Sequence, residues 1–260
     1  MGVDFRPLTY SSYLKVGELI SLQKPLSEPP AHDEMLFIVV HQAYELWFKQ
    51  VLFELDALLG HLGADRLIPS FRLFERIMEI LKLLVQQIDI LETMTPVEFN
   101  RFRSKLQPAS GFQSWQFREL ELVSGADASD YARFFDLEPE WKSGIQARAG
   151  RPDLRRVFLE LLQRQTGKPV GSAEQTVDAI LTVYQEEEKH LSLMRLCEYL
   201  LQYDEIIQLW RFRHVQMVER MIGMKTGTGG SLGVAYLRTT LEKRFFPELW
   251  QVRTRMNGKY

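Results

Sequence analysis

Residues 71–92, FRLFERIMEILKLLVQQIDILE, decide the fold class of this 260-residue chain. Their apolar side chains recur every three or four positions, the spacing that places them on one face of an α-helix. This stripe consists of Leu73, Phe74, Ile77, Leu81, Leu84 and Ile88. The same periodicity runs through most of the chain, whereas the strict alternation typical of half-buried strands is nearly absent. We therefore expect an all-α fold, a single-domain helical bundle over residues 1–260.

Capping residues, glycines and prolines predict where the helices begin and end. Thr95 and Ser172 each precede a Glu or Gln at the third helical position, the pattern of a capping box. The predicted helices span about residues 9–23, 33–59, 71–92, 96–106, 112–125, 152–164, 173–224, 233–244 and 247–256. We expect short helical pieces over residues 126–150 and a break in the longest helix near Tyr203 and Asp204.

The composition is that of an ordinary soluble protein, with 45% hydrophobic and 25% charged residues. A formal net charge of -2 gives no electrostatic reason to bind nucleic acid or an anionic membrane surface. No apolar run reaches the roughly 18 residues that a membrane span requires. Cys197 is the only cysteine, so no disulfide can form within the chain. These features lead us to expect a cytoplasmic protein.

Two of the five histidines, His41 and His214, lie on apolar helix faces. Phe37 one turn before His41 and Glu45 one turn after it share its face, and Trp210 lies one turn before His214. A lone histidine in such a position is more often part of the core than a ligand. An apolar flank of this kind packs equally well against other helices or against a flat apolar cofactor. Spacing alone leaves both interpretations open.

The sequence contains no recognisable motif for a metal site built from side chains or for a catalytic nucleophile. A di-iron helical bundle requires two Glu-x-x-His pairs, and this sequence has one, Glu187 with His190. There is no HExxH or CxxC motif. Cys197 lies among apolar residues of a predicted helix, which favours a place in the core over nucleophilic catalysis.

The segment KTGTGGSLG, residues 225–233, is rich in glycine but is not a phosphate-binding P-loop. A helix precedes it instead of a strand, and its lysine and glycine occur in the wrong order. The hydroxyls of Thr226, Thr228 and Ser231, with the backbone N–H groups, suit a small anionic or zwitterionic group. A flexible loop tip is the alternative interpretation.

Arg101 and Arg103 precede a break in the helical pattern, in FNRFRSKLQPASGFQS, residues 99–114. A guanidinium beside a helix N-terminus suits a carboxylate, because its fork pairs with both oxygens. The alternative is an ordinary surface arginine. From the residues alone, the chain is a helical bundle with two notable histidines, an arginine suited to a carboxylate, and a Gly/Thr loop.

Five blocks in this order resemble the tryptophan 2,3-dioxygenases, haem enzymes of tryptophan breakdown. The blocks are LTYSSYLKVGELISLQKPLS (8–27), HDEMLFIVVHQAYELWFKQ (32–50), RFRSKLQPASGFQSWQFRELE (101–121), WRFRHVQMVERMIGMKTGTGGS (210–231) and YLRTTLEKRFFPELW (236–250). The resemblance implies one haem b per subunit, in a pocket between helices. It also implies that both atoms of O2 enter L-tryptophan to give N-formyl-L-kynurenine, the first step of the kynurenine pathway.

The resemblance assigns roles to the two histidines and to two aromatic residues. His214 matches the axial ligand of the haem iron. His41 matches the catalytic histidine of the opposite face, which accepts a hydrogen bond from the indole N–H. Phe37 matches an aromatic residue that packs beside the indole. Phe99 stands where some relatives carry a tyrosine that bonds to the substrate carboxylate, so we expect a modestly weaker substrate affinity here.

The resemblance also implies how the amino-acid end of the substrate is held. Arg103 matches the arginine that pairs with the carboxylate, and Ser110 lies in the loop near the haem edge. Thr228 matches the threonine of a closing loop that binds the ammonium and carboxylate groups.

The family assembles as a homotetramer in which the N-terminal helix reaches a neighbouring subunit's active site. The matching residues of this chain are Tyr10, Tyr13 and Leu14. Three alternatives remain: a haem-binding sensor, a dioxygenase of broader indole range, and a structural bundle without a cofactor. The sensor has no need for an arginine and a threonine that bind an amino acid, and the structural bundle would purify without colour.

Overall fold

The computed structural model of the chain describes residues 7–127, 139–229 and 233–256. Within these ranges the regular structure is helical and includes no strand, which confirms the predicted all-α class. The α-helices are α1 (Tyr10–Leu14), α2 (Val16–Leu19), α3 (His32–Gly63), α4 (Leu67–Leu91), α5 (Pro96–Phe102), α6 (Trp115–Ser124), α7 (Pro139–Ala149), α8 (Leu154–Thr166), α9 (Ala173–Gln185), α10 (Glu187–Ile222), α11 (Val234–Arg238) and α12 (Pro247–Arg255). Short 3-10 helices occupy Arg103–Leu106 and Gly111–Gln113. None of the described helices is both long enough and apolar enough to cross a membrane.

The core lies between the three longest helices, because α4 packs against both α3 and α10. All six residues of the predicted α4 stripe are buried, with Phe74 and Ile77 fully inaccessible. Burial of a Leu, Ile or Phe side chain stabilises the fold by roughly 1.5–3 kcal/mol. The apolar face that the sequence predicts is therefore the face that joins the three helices.

Two predicted helix N-termini are capped as the sequence indicates. The Thr95 hydroxyl accepts the backbone N–H of Glu98 at 3.2 Å, with Pro96 at the first helical position. The Ser172 hydroxyl accepts the N–H of Gln175 at the same distance. A cap of this kind contributes about 1 kcal/mol to the helix.

The predicted N-terminal helix over residues 9–23 is wrong, because Lys15 interrupts it in a left-handed conformation with φ 54°. Neither α1 nor α2 has a buried residue. Helices this short are unstable in water without packing, so the absence of buried residues in α1 and α2 leaves little to stabilise one continuous helix here.

The predicted break near Tyr203 and Asp204 is also wrong, since α10 runs through both residues. The interruption lies earlier, where Glu186 separates α9 from α10 and His190 adopts φ -115° and ψ 23°. Asp204 is fully buried, and its carboxylate accepts hydrogen bonds from the segment 245–250. Partners from a distant segment thus allow an aspartate in the middle of a buried helix.

The segment 126–150, predicted as short helical pieces, contains α7, while residues 128–138 lie outside the described residues. Two other boundaries differ from the prediction. The helix α5 ends at Phe102 and continues as the 3-10 helix Arg103–Leu106, and α11 ends at Arg238 instead of near residue 244.

Candidate active site

A cavity of about 780 Å³ lies between α3, α5, α6, α10 and the Gly/Thr loop that follows α10. Its wall includes most of the residues that the sequence analysis selected. These are Phe37, His41, Phe99, Arg103, Ser110, His214 and Thr228. Residues from positions 37 to 228 thus meet at one place, although they are far apart in sequence.

His41 lines the cavity from α3 with a defined tautomer. Its Nδ1 lies 2.7 Å from the carbonyl oxygen of Phe37, one turn earlier in the helix. Because a carbonyl only accepts, Nδ1–H is the donor, and Nε2 of the neutral ring retains a lone pair. Burial lowers the pKa of His41 below its usual range, against the opposing effects of the Phe37 hydrogen bond and of Glu45. His41 is therefore a neutral hydrogen-bond acceptor at neutral pH.

His214 lines the cavity from α10 with its imidazole stacked on Trp210. The two rings are parallel within 3° and their centroids lie 5.2 Å apart. Burial, followed by the charges of His41 and Arg118, lowers the pKa of His214 to about 4. Among the described residues, no group donates or accepts a hydrogen bond at this imidazole. A neutral, oriented imidazole with a free lone pair is suited to bind a metal.

Three phenylalanines form an aromatic cluster beside His41. The ring centroids of Phe37 and Phe99 lie 5.9 Å apart, and Phe102 lies 5.6 Å from Phe37 and 5.4 Å from Phe99. The Phe37 ring also packs on the His41 ring at 4.0 Å. Phe102 is fully buried and the sequence analysis did not select it. Its position three residues after Phe99 on α5, on the same face, was the available signal.

The Gly/Thr loop closes one side of the cavity through two hydrogen bonds. Arg103 donates from Nη2 to the carbonyl oxygen of Thr226 at 2.6 Å. The Thr228 hydroxyl donates to the carbonyl oxygen of Ala109, also at 2.6 Å. The loop is thereby joined to the segment between α5 and α6, whose own Ser110 caps the 3-10 helix Gly111–Gln113.

At two positions of the loop, neighbouring atoms leave no room for a side chain larger than that of glycine. A Cβ at Gly229 would lie 2.5 Å from Cβ of Ser110, and one at Gly233 would lie 2.6 Å from the carbonyl oxygen of Lys225. Gly233 also has φ 59°, a conformation that favours glycine. Ser231, predicted as a ligand of a small polar group, lies outside the described residues.

Tyr10, Tyr13 and Leu14 do not line the cavity of their own chain. They are 76%, 71% and 45% exposed, respectively, on α1. Within the described part of a single subunit, these predicted site residues are therefore separate from the others.

Two polar groups of the cavity wall were missed by the sequence analysis. Glu45, one turn after His41, accepts hydrogen bonds from Ser114 at 2.6 Å and from Gln116 at 2.8 Å. Glu121 accepts from Arg118 and Arg211, to which no role was assigned. The Arg-x-x-Glu spacing of 118–121 is the available signal, but the third partner comes from a distant helix.

The remaining candidates for metal or nucleophilic chemistry lie elsewhere. No group of three or more His, Cys, Asp or Glu in the described ranges is arranged to hold a metal ion. His190, of the Glu-x-x-His pair, is buried at the start of α10, with Nε2 3.6 Å from Glu186. Cys197 is fully buried, and burial raises its pKa. This agrees with a core position for Cys197.

Comparison with known proteins gives one consistent result. The family model described as tryptophan 2,3-dioxygenase matches residues 3–169 and 160–256. A tryptophan 2,3-dioxygenase of a Nocardioides species is 48% identical over 260 residues, covering 98% of this chain and 97% of the relative. That of Herpetosiphon aurantiacus is 47% identical, covering 95% and 97%. That of Bacillus cereus strain ZK is 41% identical over 267 residues, covering 97% and 95%.

Proposed function

This chain belongs to the tryptophan 2,3-dioxygenase family and is an enzyme that oxidises tryptophan to N-formylkynurenine, and we propose that haem b, bound through His214, is its cofactor. One observation carries this proposal: a neutral imidazole without a hydrogen-bond partner among the described residues stands on the wall of a large cavity. The substrates are then L-tryptophan and O2, and the reaction is the first step of the kynurenine pathway.

The cavity fits haem in volume and in the chemistry of its lining. About 780 Å³ lies within the range of roughly 300–1,000 Å³ for small-molecule and cofactor sites. The α10 residues that follow His214 and line the cavity are apolar, as suits a flat macrocycle. They are Val215, Met217, Val218, Met221 and Ile222. When bound, ferrous haem supplies the binding and activation of O2, which no side chain provides.

His41 accepts the indole N–H of tryptophan at Nε2. The Phe37 carbonyl holds the proton on Nδ1, so the acceptor is in place before the substrate arrives. The rings of Phe37 and Phe99 offer apolar surface for the indole, and the buried Phe102 ring packs behind both. Orientation of the ring and exclusion of water are what these side chains contribute to the reaction.

Arg103 and Thr228 bind the amino-acid end of the substrate. Arg103 has five N–H donors, of which one is bonded to the loop, so donors remain for both carboxylate oxygens. The Thr228 oxygen has lone pairs that accept from the ammonium group while its proton is bonded to Ala109. Because Phe99 has no hydroxyl, Arg103 bears most of the carboxylate recognition. Ser110 keeps the segment beneath the loop in place through its cap.

The assembly is a homotetramer whose N-terminal segments complete neighbouring sites. This is supported by the exposure of Tyr10, Tyr13 and Leu14, three apolar or aromatic side chains of one short helix. Light scattering then gives four times the mass of the 30.4 kDa chain. Replacing both tyrosines by alanine weakens tryptophan binding while haem is retained. A monomer with undiminished affinity would contradict this arrangement.

The proposed cofactor and its ligand are tested by absorption spectroscopy of three proteins purified with haem. The wild type shows a Soret band and, once reduced, converts tryptophan in air to N-formylkynurenine. His214→Ala loses the bound haem, whereas His32→Ala, which removes an exposed histidine paired with Asp33, keeps it. A Soret band without product would favour a haem sensor, and an unchanged band in His214→Ala would overturn the ligand assignment.

A further inference from the structure

A buried carboxylate joins two arginines in the cavity wall. Glu121 of α6 accepts a hydrogen bond from Arg118 at 2.5 Å through Oε2 and one from Arg211 of α10 at 2.9 Å through Oε1. All three residues are buried and line the same cavity as His214. The cluster therefore connects α6 with the helix that carries the proposed iron ligand.

Arg211 is held on its other sides by the segment that follows α11. Its Nη1 donates to the carbonyl oxygen of Lys243 at 2.7 Å, and its guanidinium lies over the Phe245 ring, 5.2 Å from the centroid. Arg211 precedes His214 by three positions, so the two belong to the same turn region of α10. Contacts that fix Arg211 also limit the rotation of the helix at His214.

The Glu121 carboxylate lies between two positive charges in the cavity wall that also carries His214. Arg118 and Arg211 each donate to Glu121, and a second buried carboxylate, Asp204, accepts hydrogen bonds from the backbone and Trp250 in the segment 245–250. Charges in a buried, water-poor wall interact more strongly than charges on the surface. Arg118, Glu121 and Arg211 line the same cavity as His214, so their charges act on a group bound there.

We propose that Glu121 is a positioning residue for the iron ligand, which holds Arg118 and Arg211 and sets the charge beside the haem. The inference rests on the proposed function, because it presumes that haem binds through His214. Without the Glu121 carboxylate, the wall next to the iron is more positive. A more positive surrounding favours the state with one more electron, so the ferrous form gains relative to the ferric form.

The test is the haem midpoint potential of three variants, measured by spectroelectrochemistry on the purified holoenzyme. Glu121→Gln keeps the size of the side chain and removes its charge, so the potential shifts upward from that of the wild type. Arg118→Gln removes a positive charge, so the potential shifts downward. Glu248→Gln is the matched control, since Glu248 is a buried carboxylate paired with Arg155 at 2.6 Å, away from the cavity lining.

Opposite shifts in the two cluster variants, with an unchanged potential in Glu248→Gln, support the proposal. If Glu121 has only a structural role, Glu121→Gln and Glu248→Gln both lower thermal stability, and the haem midpoint potential is the same in all variants. That result would overturn the proposal. If Glu121→Gln does not fold, Arg118→Gln decides, because an unshifted or raised potential there contradicts the proposal. A wild-type protein that binds no haem would overturn the proposed function as well, so the two failures are distinguishable.

Discussion

Arg103 and Thr226 are joined by a hydrogen bond of 2.6 Å between Nη2 and the carbonyl oxygen, across 123 positions of the chain. The arginine proposed to bind the substrate carboxylate is thus also the residue that fastens the Gly/Thr loop over the cavity. Recognition of the amino-acid end and closure of the loop are therefore coupled through a single guanidinium.

Arg103→Lys weakens tryptophan binding roughly 10- to 100-fold, since a hydrogen bond to a charged group contributes about 1.5–3 kcal/mol. Lysine retains the charge but lacks the fork that bonds both the carboxylate and the loop. A tryptophan titration followed by the Soret band measures the effect. Arg101→Lys is the control, because Arg101 is an exposed arginine paired with Glu98. Equal losses for tryptophan and tryptamine, which lacks the carboxylate, would contradict the assignment.

Gly233→Ala impairs loop closure beyond the strain of its backbone. Gly223 and Gly233 share φ 59°, with ψ -143° and -135°, so alanine is strained by about 1–3 kcal/mol at either position. Only at Gly233 does the added Cβ meet Lys225 O, whereas nothing lies within 4 Å of a Cβ at Gly223. Thermal unfolding and kcat/KM for tryptophan measure both effects. We expect Gly223→Ala and Gly233→Ala to lose similar amounts of thermal stability, with a larger fall of kcat/KM in Gly233→Ala. An equal fall of kcat/KM in both variants would refute the close contact with Lys225 as the cause.

Phe99→Tyr strengthens tryptophan binding by roughly 2- to 10-fold. The hydroxyl adds a hydrogen bond to the carboxylate, and such bonds contribute about 0.5–1.5 kcal/mol. The ring already lines the cavity beside Phe37 and Phe102. Binding of tryptamine is unchanged, because it lacks the carboxylate. An equal gain for both ligands would show that the hydroxyl acts on something else.

His41→Ala raises the Kd for tryptophan but retains measurable turnover, because His41 orients the indole and is not required as a strong base. In the wild type, burial lowers the pKa of His41 below its usual range. The neutral acceptor therefore persists as the pH falls past about 6.5, and affinity declines only when Nε2 becomes protonated at lower pH. Tryptophan titrations from pH 8 downward test this. A decline centred above pH 6.5, or the same decline in His41→Ala, would contradict it.

The helical class and most cavity residues were predictable because they depend on local patterns or on matched blocks. The stripe of α4 fixes its buried face, and the matched blocks identify His41 and His214. Asp204 misled the analysis, since a buried aspartate in a helix is tolerated only when distant donors reach it, here from Phe245, Phe246 and Trp250.

Long-range pairing also explains what was missed in the site. The Glu121–Arg211 ion pair joins positions 90 apart, and neither residue's own neighbours predict the other. Lys15 breaks the N-terminal helix in a segment without buried residues, where helix propensity alone does not determine the structure.

The most direct test of the account is the oxidation of L-tryptophan by the purified ferrous enzyme under isotopically labelled O2, with the product analysed by mass spectrometry. The account predicts N-formylkynurenine that carries both labelled oxygen atoms, and none from His214→Ala. A haem-bound protein that forms no product would contradict the account. So would newly formed N-formylkynurenine in which only one oxygen atom is labelled.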